Sequence, residues 1–276
     1  MEITVEKIKR EDGSELFDPY YFYDCYAVHV ESHRILTIVT YCELTAAKWL
    51  EDAKKTNNMS SRRKTLVVGF SVERRNDKFT RHGLRDTPYE LLYLCIGSHC
   101  LIYQLDDPAG YFNYRPSKFL NPFFDDPKVV VVGTGIKAKA ARLERDFAVK
   151  IKNAVDLNEL AVKGMKRDDL DLGRYDLDRL AKAVLGKHMD VVRPKELEWF
   201  KERRPYYCHY VEMNERKVMF TTTDAYLCYR IGSQLFNTMI HGNIDSSAAP
   251  SNKKEKKKDQ KKNKKVAFSF TPTDLI

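Results

Sequence analysis

Long apolar runs are missing from this sequence. Nowhere do its 276 residues approach the ~18 consecutive apolar positions that a membrane span needs. The opening Met1-Glu2-Ile3-Thr4-Val5-Glu6-Lys7 has no apolar stretch and reads as no secretory signal. Paired cysteines are missing too. Cys25, Cys42, Cys95, Cys100, Cys208 and Cys228 form no C-x-x-C, and no Cys/His cluster has zinc-ligand spacing. They read as reduced thiols, mostly small core residues, which excludes a disulfide framework. No internal repeat is found, so a repeat array is excluded. The expectation is a soluble intracellular protein, nuclear or cytoplasmic, with no membrane partner.

The body of the chain also lacks a strong charge. The net charge is +9, but residues 253–276 hold nine lysines against Glu255, Asp259 and Asp274. That tail carries +6 and leaves +3 for residues 1–252, so the basic signal lies in the tail. A lysine run repels itself and buries nothing, so residues 241–276 are expected to be a disordered tail. Lys253, Lys254, Lys256, Lys257 and Lys258 are its candidate nucleic-acid contacts. The same run reads equally as a solvated tail or an import signal.

What is present is a 43% hydrophobic chain, enough for one domain with a buried core. Residues 24–30 and 35–41 are two β-like runs about the turn Glu31-Ser32-His33-Arg34, a hairpin. A short amphipathic helix opens at Leu44, with a loop at 57–64. Strands follow at 65–73, 89–96 and 100–105, the last two joined by Gly97-Ser98-His99 and therefore antiparallel. The alternation continues with a helix at 116–124, a strand at 129–132, a helix at 138–147, a strand at 154–156 and a helix from 157. Helices are also expected at 176–185, stopped by Gly186 as a left-handed cap, at 196–203, and at 214–236 behind Asn214 as N-cap. A hairpin, then β-α-β-α and a long closing helix, argues an α/β fold with a mixed sheet of five or six strands.

Four stretches carry more than periodicity. Val67-Val68-Gly69-Phe70-Ser71-Val72-Glu73 resembles the Gly-hydrophobic-Asp-x-Glu strand of Werner-type 3′–5′ exonuclease domains. Residues 91–105 are similar to that family's second and third strands. Residues 126–161, with Gly133-Thr134-Gly135-Ile136 and Asn153-Ala154-Val155-Asp156-Leu157, are similar to its next block. Phe220-Thr221-Thr222-Thr223-Asp224-Ala225-Tyr226 resembles its Tyr-x-x-x-Asp-Ala-Tyr helix. The resemblance covers roughly residues 23–235, is nearest to plant members, and implies a ribonuclease H-like fold of DEDDy (DnaQ-like) type. It divides the chain into an N-terminal segment, 1–22, an exonuclease-like domain, 23–240, and the tail, 241–276.

In the family, four carboxylates hold two divalent ions that clamp the attacking water and the leaving oxygen, and a tyrosine orients the water. By the resemblance, Glu73 and Asp224 stand at two of the carboxylate positions. Ser71 replaces the first Asp, Lys139 the middle-helix Asp, and Phe220 the tyrosine. Any Mg²⁺ or Mn²⁺ would depend on Glu73 and Asp224, two negative charges against four positive ones. An ammonium at 139 would repel such an ion by on the order of 4 kcal/mol per unit charge at 4 Å and an effective dielectric of ~20. No metal cofactor is therefore expected unless the site is active. The same residues suggest a metal-free arrangement, with Lys139 between Glu73 and Asp224 and Ser71 donating to either. Asp156 reads as the cap of the helix from 157 rather than a spare ligand. The aromatic stretch of Trp199, Phe200, Tyr206, Tyr207 and Tyr210 reads as packing, or as a base-stacking surface.

The functional expectation is a degenerate exonuclease-domain protein, a pseudoenzyme that binds DNA or RNA with little or no hydrolysis. Two alternatives stand beside it: a weakly active metal-dependent 3′–5′ exonuclease, and a protein-interaction module without nucleic-acid affinity.

Overall fold

Alternating side chains on eight strands divide the molecule into two cores, one on each face of a single sheet. The computed structural model describes residues 1–8, 23–60, 65–74, 89–105, 117–167, 169–194, 197 and 212–241; side chains are described for all of these except 57–60, 240 and 241. The strands are β1 (Ile3–Lys7), β2 (Tyr23–Val30), β3 (His33–Thr40), β4 (Leu66–Glu73), β5 (Leu91–Ile96), β6 (His99–Gln104), β7 (Val129–Gly133) and β8 (Ala154–Asp156). The helices are α1 (Glu43–Ser60), α2 (Asn121–Phe124), α3 (Ile136–Phe147), α4 (Leu157–Met165), α5 (Leu177–Leu185) and α6 (Glu215–His241).

The sheet order is β1-β2-β3-β6-β5-β4-β7-β8. Strands β6, β5 and β4 are antiparallel neighbours in turn, and β7 and β8 continue from β4 in parallel. That five-stranded unit is a mixed sheet of the kind the family resemblance implies, and the meander β1-β2-β3 extends it, with β3 parallel to β6. The fold class is α/β, as expected. The sheet has eight strands rather than five or six: all seven strand runs read from the sequence join the one sheet, and Ile3–Lys7, inside the segment 1–22, adds an eighth by pairing with β2 despite its polar sequence. An edge strand needs only one apolar flank, and half of β1 faces water.

On one face, α1, α2 and α3 cover Val68, Phe70, Leu92, Leu94, Leu101 and Val131 around the buried Trp49. On the other, α6 covers Leu91, Tyr93, Cys95, Cys100 and Ile102. It also packs against α4 and α5 over Val132, Leu157 and Leu180. Period two therefore sends Phe70 and Val72 of β4 to one side and Ser71 and Glu73 to the other, under α6. Gly69 lies on that second side. A β-carbon there would meet the backbone oxygen of Ala225 at 2.2 Å and the backbone nitrogen of Tyr229 at 2.5 Å, so α6 touches β4 backbone to backbone.

Several boundaries move. The helix that opens near Leu44 runs the full 18 residues of α1, through the start of the loop expected at 57–64. The region 116–124 yields a 3-10 turn at Lys118–Leu120 followed by one turn of α-helix, α2, because Pro122 fits only a helix start. His99 sits in β6 and not in the turn. Gly186 has φ 117° and ψ 159°, outside the left-handed cap geometry predicted for it. Asn214 does cap α6, accepting from the Arg216 N–H at 3.0 Å. The helix expected at 196–203, the aromatic stretch and the lysine tail lie outside the described residues, apart from Leu197. Among the described residues no helix is long and apolar enough to cross a membrane.

Candidate functional site

The site forms where three elements meet at the C-terminal end of β4. Strand β4 brings Ser71 and Glu73. Helix α6 brings Lys217, Phe220 and Asp224, spaced three and four residues apart and so on one stripe. Helix α3 starts straight after β7, the parallel neighbour of β4, through Gly135 at φ 59°. That left-handed residue turns the chain so that Lys139, in the first turn of α3, reaches back over β4.

All five residues singled out by the resemblance are thus brought together. Their contacts differ from those expected. The Lys139 Nζ donates to Ser71 Oγ at 3.1 Å and makes no ion pair with Glu73 or Asp224. Ser71 accepts, instead of donating to a carboxylate. The reason is reach and competition: each carboxylate already holds another cation. Lys217 Nζ sits 2.5 Å from Glu73 Oε2, and Tyr93 OH donates to the same oxygen at 3.2 Å. Arg193 Nη2 lies 2.6 Å from Asp224 Oδ1. The same guanidinium grips Asp178 of α5 in a two-point fork, through Nε and Nη2 at 2.8 Å each.

Burial sets the protonation behaviour. It pushes the Asp224 carboxyl up to about 6, against the opposing pull of the Arg193 charge. It lowers the Lys139 ammonium below its ordinary value, with Cys228, Asp224 and Asp156 partly restoring it. Burial works against the Arg193 charge as well, but the Asp178 hydrogen bond and the Asp224 charge outweigh it and the pKa rises. The Tyr93 phenol is held well above its ordinary value by burial, then by Glu73 and Asp224. It stays a neutral donor at any ordinary pH. Lys139 also stands where the α3 dipole favours an anion, within the first turn.

Phe220 is almost fully buried and packs with the α4–α5 core, so its ring serves that core and offers no hydrogen bond. Asp156 is a cap. Its Oδ1 accepts from the Asn158 N–H at 2.9 Å and the Glu159 N–H at 3.5 Å, and its Oδ2 from the Ile136 N–H at 3.2 Å. It ties the start of α4 to the start of α3 and has little left for an ion.

Sequence reasoning missed four members of this site. Lys217 carried a signal, since it lies seven residues before Asp224 on the same helix stripe. Tyr93 carried a weaker one, as the cross-strand partner of Ser71. Arg193 and Asp178 carried none, because their pairing is tertiary.

A pair of divalent ions does not fit this donor set. Hard dications need several free anionic oxygens. Here Glu73 and Asp224 are each in contact with a fixed cation, and a third cation lies on Ser71. Among the described residues no group of three or more His, Cys, Asp or Glu side chains converges as a metal site.

No family model matches this chain. Two curated proteins, each described as a 3′–5′ exonuclease, are similar to it. The one from Drosophila grimshawi is 29% identical over 148 residues, 50% of this chain and 38% of the fly protein. The one from Drosophila persimilis is 27% identical over 152 residues, 50% of this chain and 36% of its own length. The chain therefore matches well under half the length of these relatives. Among solved structures, Escherichia coli RNase D, described as an exoribonuclease involved in structured RNA processing, aligns with a TM-score of 0.49 at 12% identity, covering 74% of this chain and 45% of that one. The catalytic core of RRP6 from Trypanosoma brucei gives 0.47 at 12% identity, over 73% and 47%. The EXD2 exonuclease domain soaked in Mn and GMP gives 0.37 at 16% identity, over 78% and 99%. The fly relatives agree with the 3′–5′ exonuclease resemblance read from the motifs.

Proposed function

We propose that this chain is a 3′–5′ exonuclease-fold protein of DEDDy type whose metal site has been rebuilt around fixed cations, and that it binds nucleic acid with little or no hydrolysis. The observation that carries this reading is the pairing of Glu73 with Lys217 and of Asp224 with Arg193, beside Lys139 on Ser71. A dication entering here meets carboxylates that are already neutralised and an ammonium that repels it. Ser71 contributes a neutral oxygen, and Phe220 cannot hold a water. Each change alone is tolerable; together they oppose metal-assisted attack on a phosphodiester.

The nucleic-acid half of the reading rests on the exonuclease relatives and on charge. Lysines such as Lys253, Lys254, Lys256, Lys257 and Lys258 give residues 253–276 a net +6, suited to phosphate contact. The same run suits a nuclear-import signal. Mg²⁺ or Mn²⁺ is the cofactor only of an active form.

The test combines three measurements on the 276-residue protein. Calorimetric titration with Mn²⁺ is expected to show no saturable binding. Incubation with 5′-labelled single- and double-stranded oligonucleotides plus Mg²⁺ or Mn²⁺ is expected to leave them full length. Shortening that disappears in Asp224→Ala would overturn the reading. Oligonucleotide affinity should fall steeply with salt; affinity absent at low salt would leave an interaction module instead.

A further inference from the structure

We propose that the outer edge of β1 is a strand-docking site, and that its occupant is the segment 265–270 of this same chain. The inference does not depend on the metal-site reading above.

Among the described residues no strand lies beyond β1 in the sheet. The ladder to β2 shows which of its backbone groups point out. The Glu31 N–H donates to Glu2 O at 2.9 Å and the Ile8 N–H to Cys25 O at 2.8 Å, in the register that pairs Thr4 with His29 and Glu6 with Ala27. In an antiparallel pair, successive residues alternate between bonding the partner and facing away from it. The even-numbered residues of β1 therefore bond β2, and Ile3, Val5 and Lys7 turn their N–H and C=O groups outward. Such a row is a template for one more strand.

The two faces of this edge say what kind of strand fits. On one face Ile3 and Val5 are only half-buried, and with Met1 and Met219 they flank the core under α6. The apolar surface runs to the edge and stops there. On the other face a shallow cavity of about 470 Å³ is lined by Glu2, Thr4, Val5, Glu6, His29 and Glu31. Its lining holds three carboxylates and no lysine or arginine. A docked strand is thus asked for apolar side chains at every second position and for polar or basic ones between them. Lys265-Val266-Ala267-Phe268-Ser269-Phe270 has that alternation. Val266, Phe268 and Phe270 would continue the Ile3–Val5 face, and Lys265 would lie on the carboxylate side. No other run after α6 alternates in this way, and its β-branched and aromatic residues suit a strand.

The tether reaches. Residues 242–264 separate α6 from the segment. A flexible chain of that length spans roughly 25–29 Å on average, and like charges extend it further. Met219, which flanks the same core as Met1 and Ile3, precedes the end of α6 at His241 by a stretch of helix about 33 Å long. The two lengths are comparable. Docking uses Lys265 alone of the nine tail lysines and leaves the others for phosphate.

The experiment is residue-resolved amide hydrogen exchange, followed by nuclear magnetic resonance on the 276-residue protein, for wild type and for Phe268→Asp combined with Phe270→Asp. In wild type the outward N–H groups of Ile3 and Val5 are expected to be protected. The double variant should speed their exchange at least tenfold and leave Thr4 and Glu6, which bond β2, unchanged. Ile3 and Val5 amides that exchange as fast in wild type as in the double variant overturn the proposal. So does an equal acceleration of Ile3, Thr4, Val5 and Glu6, which marks loosening of β1 as a whole and not the loss of a strand on its edge. Dilution separates the chain's own segment from that of a second copy. Protection that is independent of protein concentration supports docking within one chain, and protection that fades on dilution overturns it in favour of exchange between copies.

Discussion

Replacing Gly69 by alanine asks whether the site owes its geometry to direct backbone contact between α6 and β4. The added methyl would lie 2.2 Å from the Ala225 carbonyl oxygen, 2.5 Å from the Tyr229 nitrogen and 2.8 Å from the Tyr229 β-carbon. Relaxed contacts between non-bonded carbons lie near 3.5–4.0 Å, so the helix has to withdraw by roughly 1 Å. None of the three atoms is the end of a flexible side chain, so no rotamer change relieves the clash. Overpacking of this kind costs about 1–3 kcal/mol, and the rigid neighbours place this case at the upper end. For a domain of this size 1 kcal/mol is roughly 2–4 °C, so the melting temperature should fall by about 6–12 °C. Ala225 is the residue after Asp224, so the same shift pulls Asp224 away from β4. The control is Gly173→Ala, whose β-carbon would meet only Asp171 Oδ1, at 4.0 Å, and which should stay within about 0.5 kcal/mol of wild type. Urea denaturation followed by circular dichroism, with the slopes compared, reads both. Equal stability of the two variants would refute the claim that α6 is seated through Gly69.

Three further outcomes are expected. Asp156→Ala removes the acceptor for the Asn158, Glu159 and Ile136 N–H groups and should cost on the order of 1–2 kcal/mol in the same denaturation assay; a loss under half of that speaks against the cap. Asp224 has a folded pKa of about 6 against an ordinary 3.8, so the stability it lends is present below the lower value and is lost as pH rises through about 6. Wild type should therefore lose on the order of 2–3 kcal/mol relative to Asp224→Asn between pH 4 and pH 7, and parallel stability curves would contradict the burial of that carboxyl. Ser71→Asp, Lys139→Asp and Phe220→Tyr together should raise Mn²⁺ affinity, and adding Lys217→Gln should raise it at least tenfold more; calorimetry that finds no Mn²⁺ bound by the fourfold variant would show that the motif register is misplaced.

Much of this architecture is legible in the sequence because it is written in local periods. The alternation of β4 alone puts Ser71 and Glu73 on one face. The caps at Asp156 and Asn214 follow from residue type at a helix start. Strand β1 is not legible, because an exposed edge strand of five residues has too few apolar positions to show a period. Helix α1 is longer than its pattern suggests, because Thr56, Asn57 and Asn58 are weak helix formers by residue type.

By itself the sequence determined which residues reach the end of β4: the motif register brought Ser71, Glu73, Lys139, Phe220 and Asp224 to one place. It also carried the charge argument on which the proposed exclusion of a pair of dications rests. Only the tertiary structure decided how those charges are satisfied. Glu73 and Lys217 are 144 residues apart in the chain, and Lys139 bonds Ser71 because Lys217 and Arg193 hold the carboxylates more closely. Coulomb attraction depends on distance in space and on burial, and neither is encoded in any short-range pattern of residues.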